Sequence, residues 1–124
     1  CLISSEMFAE FELPCLAHET QVLDGSCYHL DGPGALHHLE ALCSLPNLQA
    51  IQWQPGVGRG QQQDWTELHR RIDELGKGQV LGGNAARIEY MARELRSRRL
   101  FFRTSLPKDE LDALVLRLER IRGR

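Results

Sequence analysis

His29 and Asp31 stand two residues apart in the run Ser26-Cys27-Tyr28-His29-Leu30-Asp31-Gly32-Pro33-Gly34. On a strand that spacing puts both side chains on one side of the sheet. An imidazole and a carboxylate so placed can act as a general acid and base, or anchor a polar ligand through hydrogen bonds. The plainer alternative is a satisfied histidine, with Asp31 accepting from backbone N–H groups of the turn at Pro33. Both are also metal-ligand types, but two ligands are too few to define a metal site.

Two further stretches have the composition of ligand contacts. Gln52-Trp53-Gln54 sets a large apolar ring between two amides, which suits a cleft for a ligand of mixed polarity. Neighbours on a strand alternate in direction, so only Trp53 or the glutamines can face such a site. Otherwise Trp53 fills a barrel interior while the glutamines meet the helices. Gly82-Gly83-Asn84 can cradle a phosphate or carboxylate with backbone N–H groups, or simply form a tight turn with Asn84 as helix cap. Gly56–Gly60 is a candidate lid loop. His37, His38 and His69 fall on helices without i, i+4 partners and are expected to face solvent. Arg93, Arg96, Arg98 and Arg99, accompanied by Glu89 and Glu94, read as a solvated helix end near the negative dipole terminus.

These residues need elements to position them, and the pattern supplies strands alternating with helices. Strands are expected around Tyr28–Leu30, Gln49–Trp53, Gln79–Leu81 and Leu100–Phe102. Ser4-Ser5-Glu6 starts a helix that Pro14 must kink or divide. Pro33 opens a second, with Leu36, Leu39, Leu42 and Cys43 inside and Pro46 as its limit. Asp64 with Glu67 forms a capping-box-like start for Trp65, Leu68, Ile72 and Leu75, ending at Gly76. Asn84 caps a helix with Ile88, Met91 and Leu95 inside. After Pro107, Leu111, Leu114, Val115, Leu118 and Ile121 share the apolar face of the last helix. Such alternation predicts a parallel α/β sheet with right-handed crossovers, either small and open or part of a (β/α)8 barrel.

Composition narrows the class. The 124 residues suffice for one domain, with 42% hydrophobic and 26% charged residues, as in globular proteins. A net charge of -2 gives no reason to expect nucleic acid. No apolar run reaches membrane-spanning length and no secretory pattern appears, so a cytoplasmic location is expected. Cys1, Cys15, Cys27 and Cys43 are scattered, and suit buried or partly buried thiols better than disulfides or a zinc ribbon. The start at Cys1, with Leu2-Ile3-Ser4 reading like the end of a strand, suggests a fragment.

Taken in order, Ile3-Ser4-Ser5-Glu6-Met7-Phe8 with Phe11 and Leu13-Pro14, then Tyr28 to Gly34, then Ala50-Ile51-Gln52-Trp53-Gln54-Pro55-Gly56, and Gly76-Lys77-Gly78 before a strand, make the chain resemble the uroporphyrinogen decarboxylase superfamily. That superfamily includes cobamide-dependent methyltransferases, and the likeness is to bacterial decarboxylase-like or trimethylamine-corrinoid-associated members. The resemblance implies a (β/α)8 TIM barrel of which residues 1–124 form a single partial domain, roughly strands five to eight. It places His29 and Asp31 as catalytic candidates at the barrel mouth. Tyr28, Gln52, Trp53, Gln54, Gly82, Gly83 and Asn84 are the ligand-binding candidates.

The resemblance further implies a methyltransferase-type member of corrinoid or tetrapyrrole metabolism, with a porphyrinogen carboxy-lyase or a non-catalytic ligand-binding accessory protein as alternatives. The methyltransferase branch binds zinc through a His-x-Cys pair and a later cysteine. Here Asp31 replaces the first cysteine and none follows Cys43, so no zinc thiolate site is expected and any corrinoid would be borne by a partner protein. The implied ligand is a small or tetrapyrrole-related molecule. Open strand edges would lead the fragment, expected to be inactive alone, to self-associate or to join a missing N-terminal part.

Overall fold

Alternation along the strands decides the architecture. The computed structural model describes residues 3–58 and 63–123, with strands β1 (Cys27–Asp31), β2 (Ala50–Gln54), β3 (Gly78–Gly82) and β4 (Leu100–Arg103). They form one parallel sheet in sequence order, β1-β2-β3-β4. The register aligns Tyr28 with Ile51, Gln79 and Leu100, and His29 with Gln52, Val80 and Phe101. The first row, with Leu30, Trp53, Leu81 and Phe102, is buried or half-buried under the helices. The second row, with Asp31, Gln54 and Arg103, lies on a face left open among the described residues, where Phe101 is 64% exposed. A four-stranded parallel sheet wound in one direction, with its helices on one face, is compatible with part of a barrel.

Helices α1 (Ser5–Met7) and α2 (Leu13–Gln21) flank a π-helical stretch, Phe8–Glu12. Ser4 Oγ accepts from Met7 N and caps the start. Pro14 has no N–H to give and its ring crowds the preceding turn, so the hydrogen bonds slip by one residue just before it. The division expected at Pro14 takes that form. Residues Pro33–His38 wind as a 3-10 helix into α3 (Leu39–Ser44), and Leu45, before Pro46, is extended. Helix α4 (Thr66–Glu74) is followed by Gly76 at φ 79. Helix α5 (Ala85–Glu94) is capped by the Asn84 side chain, and α6 (Lys108–Arg122) follows Pro107.

Leu30, Leu42, Ile51 and Ile72 are almost wholly buried, each worth roughly 1.5–3 kcal/mol of transfer free energy. Lys77 is buried beneath this core, and its Nζ donates to the Leu45 and Leu48 carbonyls at 2.7 Å each. The Arg122 guanidinium donates to the Ala92, Leu95 and Ser97 carbonyls, tying the end of α6 to the end of α5.

Several expectations are corrected. His38 is buried and stacks on Phe8 at a ring separation of 4.1 Å, because the 3-10 turn points it inward. Cys15 and Cys27 are exposed, and only Cys43 of the described thiols is buried; burial pushes its pKa up to about 11. On α6 only Leu114 is fully buried, with Leu111 and Val115 exposed, because the helix packs chiefly on α5. No reciprocal capping box forms at α4: Asp64 Oδ1 accepts from Thr66 N and Thr66 Oγ1, while Glu67 turns to Arg70.

Candidate functional site

The C-terminal ends of β2, β3 and β4 open into a cavity of about 680 Å3, within the size range of small-molecule sites. Gln52, Trp53 and Gln54 line it from β2, Gly82 from β3, and Arg103, Thr104 and Ser105 from the end of β4. Asp64, Trp65 and His69 come from the start of α4, and Arg87 from the first turn of α5. Strand ends and helix starts converge there because every connection after a strand leads into the next helix on the same side.

The two predicted alternatives for β2 are answered in an unexpected way. Trp53 turns toward the helices and the glutamines toward the open face, the reverse of the arrangement in which Trp53 fills an interior; yet all three reach the cavity at the strand's end. Trp53 meets Trp65 edge-on at 4.9 Å, and its buried indole N–H has no acceptor among the described residues.

Polar contacts give the cavity its chemistry. His69 Nδ1–H donates to Gln79 Oε1 at 2.8 Å, and Gln79 Nε2 donates to the His69 carbonyl at 2.9 Å. The expectation that His69 faces solvent is thus overturned. Burial, and secondarily the Arg87 charge, hold its pKa below the ordinary histidine value, against the opposing Gln79 bond and Asp64 carboxylate. Arg87 donates to Thr66 Oγ1 at 2.8 Å and lies 3.6 Å from Asp64 Oδ1. The Thr66 hydroxyl and backbone bonds, then Arg87, lower the Asp64 pKa and keep it ionised. Arg103 has no carboxylate partner among the described residues.

His29 and Asp31 do share a side, as their spacing requires, but not this cavity. They line a neighbouring one of about 470 Å3 with Gly32, Gly56 and Val57, and Gln54 borders both. His29 Nδ1 donates to Gln52 Oε1 at 3.1 Å. No bond joins Asp31 to His29 or to the Pro33 turn among the described residues, where Gly32 N instead donates to Gln54 O. Tyr28 alternates away from its neighbours to the helix-covered side, where it borders a separate cavity of about 300 Å3 and not the one lined by Gln52, Trp53 and Gln54. Of the glycine turn, Gly82 lines the cavity, Gly83 N donates to Arg103 O, and Asn84 Oδ1 is spent on capping Arg87 N. The lid candidate is described only as far as Gly58; Arg59 and Gly60 lie outside the described residues.

Against models of known protein families, curated proteins and solved structures, the chain shows no match.

The site therefore rests on its own geometry. No cluster of three metal-ligating side chains occurs among the described residues. No helix is long and apolar enough to cross a membrane among the described residues.

Sequence reasoning missed His69, Gln79, Arg87 and Arg103, although two signals were there. His69 fills the i+4 place after Trp65 in a stripe running through Leu68 and Ile72, which is an inward position. Gln79 shares a strand face with Leu81, so it is a polar group on the buried side and needs a partner. Nothing local marked the two arginines.

Proposed function

We propose that this chain is the C-terminal part of a uroporphyrinogen decarboxylase-like (β/α)8 barrel, of the methyltransferase type, serving corrinoid or tetrapyrrole metabolism in the cytoplasm. Its ligand is a small organic anion held at the mouth between Arg87 and Arg103, and any corrinoid is brought by a partner protein. The observation that carries this reading is the cavity at the strand C-terminal ends, lined by two guanidiniums of which Arg103 lacks a carboxylate partner among the described residues. Guanidiniums in a sheltered cleft favour carboxylate or phosphate. The one-direction winding of the sheet supports the barrel, since ligands of such folds bind at that end.

A non-catalytic binding role is the second reading. It is favoured by His29 and Asp31, which share no hydrogen bond and stand outside the arginine-lined cavity.

The test uses the natively expressed protein with methylcobalamin and with uroporphyrin as probes, followed through Trp53 and Trp65 fluorescence. Quenching by methylcobalamin, weakened about tenfold or more in an Arg87→Gln/Arg103→Gln double variant, is expected. Carbon dioxide release from uroporphyrinogen would instead make the protein a carboxy-lyase. Binding without turnover, unchanged by His29→Ala/Asp31→Ala, would make it a binding protein. Absence of binding to both probes would refute the corrinoid or tetrapyrrole assignment.

A further inference from the structure

The His69–Gln79 pair limits which anion the cavity accepts, an inference that rests on the anion reading above. The amide of Gln79 cannot be turned over, because its N–H must meet the His69 carbonyl, which only accepts. Its oxygen therefore faces Nδ1, and in the neutral imidazole Nδ1 carries the proton. Nε2 is left with a lone pair. His69 lines the same cavity as Arg87 and Arg103, with the Asp64 carboxylate beside Arg87, so guanidinium donors and the imidazole border one space.

We propose that His69 Nε2 accepts a hydrogen bond from the bound ligand, so that the cavity takes organic anions that also carry a hydroxyl or N–H donor. Gln79 is the positioning residue that holds the acceptor tautomer. A bare carboxylate would satisfy the arginines and leave the His69 lone pair desolvated without a partner. That cost discriminates between ligands otherwise alike. The charged groups around His69 act in known directions: Arg87 disfavours a proton on the ring and Asp64 favours one. Arg103 adds positive charge to the cavity from β4.

The experiment compares malate with succinate, which differ by one hydroxyl, as probes of the chain by NMR titration. Malate is expected to bind about tenfold more tightly, the equivalent of about 1.4 kcal/mol. His69→Phe should abolish that preference while succinate binding persists, and Arg87→Gln/Arg103→Gln should weaken both acids. A long-range proton–nitrogen spectrum of the unsubstituted chain is expected to show Nδ1 protonated and Nε2 bare, a readout that needs no variant to fold. Equal binding of the two acids, or a proton found on Nε2, overturns this inference and leaves the anion reading intact. Failure of both acids to bind overturns the anion reading as well.

Discussion

His69 and Gln79, ten residues apart, exchange two hydrogen bonds: ring Nδ1–H to side-chain oxygen at 2.8 Å, and side-chain N–H to the His69 carbonyl at 2.9 Å. Helix α4 is thereby fastened to β3 through polar groups. The imidazole is half-buried in one defined tautomer at the edge of the arginine-lined cavity.

Gln79→Glu puts a carboxylate beside Nδ1–H and removes the N–H that serves the His69 carbonyl. An adjacent anion favours the imidazolium, so the His69 titration midpoint is expected to move upward relative to the unsubstituted chain. Nitrogen- and proton-detected NMR titration checks it, and an unmoved midpoint would mean that the pair is not formed in solution.

Acid should destabilise the fold before the carboxylates titrate. Burial lowers the pKa values of His69 and His38, so the unfolded chain takes up these protons first. Their contribution is present above the ordinary histidine value of about 6.5 and is lost as pH falls from there through the lowered folded values. Melting temperature measured from about pH 8 to about pH 5 is expected to fall, with a smaller fall in His69→Gln. An identical slope in that variant would remove His69 as a cause.

Lys77→Met leaves the Leu45 and Leu48 carbonyls without the ammonium that now serves both. Bonds to a charged donor are worth more than neutral ones, and a loss of about 2–4 kcal/mol is expected. Urea unfolding monitored by tryptophan fluorescence measures it.

Gly78→Ala and Gly82→Ala separate a packing glycine from a cavity glycine. A Cβ at Gly78 would come within 2.5 Å of the Arg99 carbonyl and 2.7 Å of Arg99 Cβ, where backbone must shift. A Cβ at Gly82 meets nothing closer than 3.9 Å. The first variant should lose about 1–3 kcal/mol by overpacking, and the second should keep its melting temperature. Equal melting temperatures for the two would contradict the β3–β4 register.

The sequence by itself determined the elements and their order. Period-two runs, proline and glycine stops, and the Ser4 and Asn84 caps are local signals, acting within a turn or a strand. It also determined that His29 and Asp31 share a side, since alternation needs no tertiary contact. Only the tertiary structure decided which side of each strand the helices cover. That choice sends Tyr28 and Trp53 one way and Gln52 and Gln54 the other. It also decided the site, because Asp64 and His69 at the start of α4, Gln79 on β3, Arg87 on α5 and Arg103 on β4 meet only where crossovers return the chain to neighbouring strand ends. A local pattern reports which neighbours along the chain share a face; which distant groups converge there depends on packing.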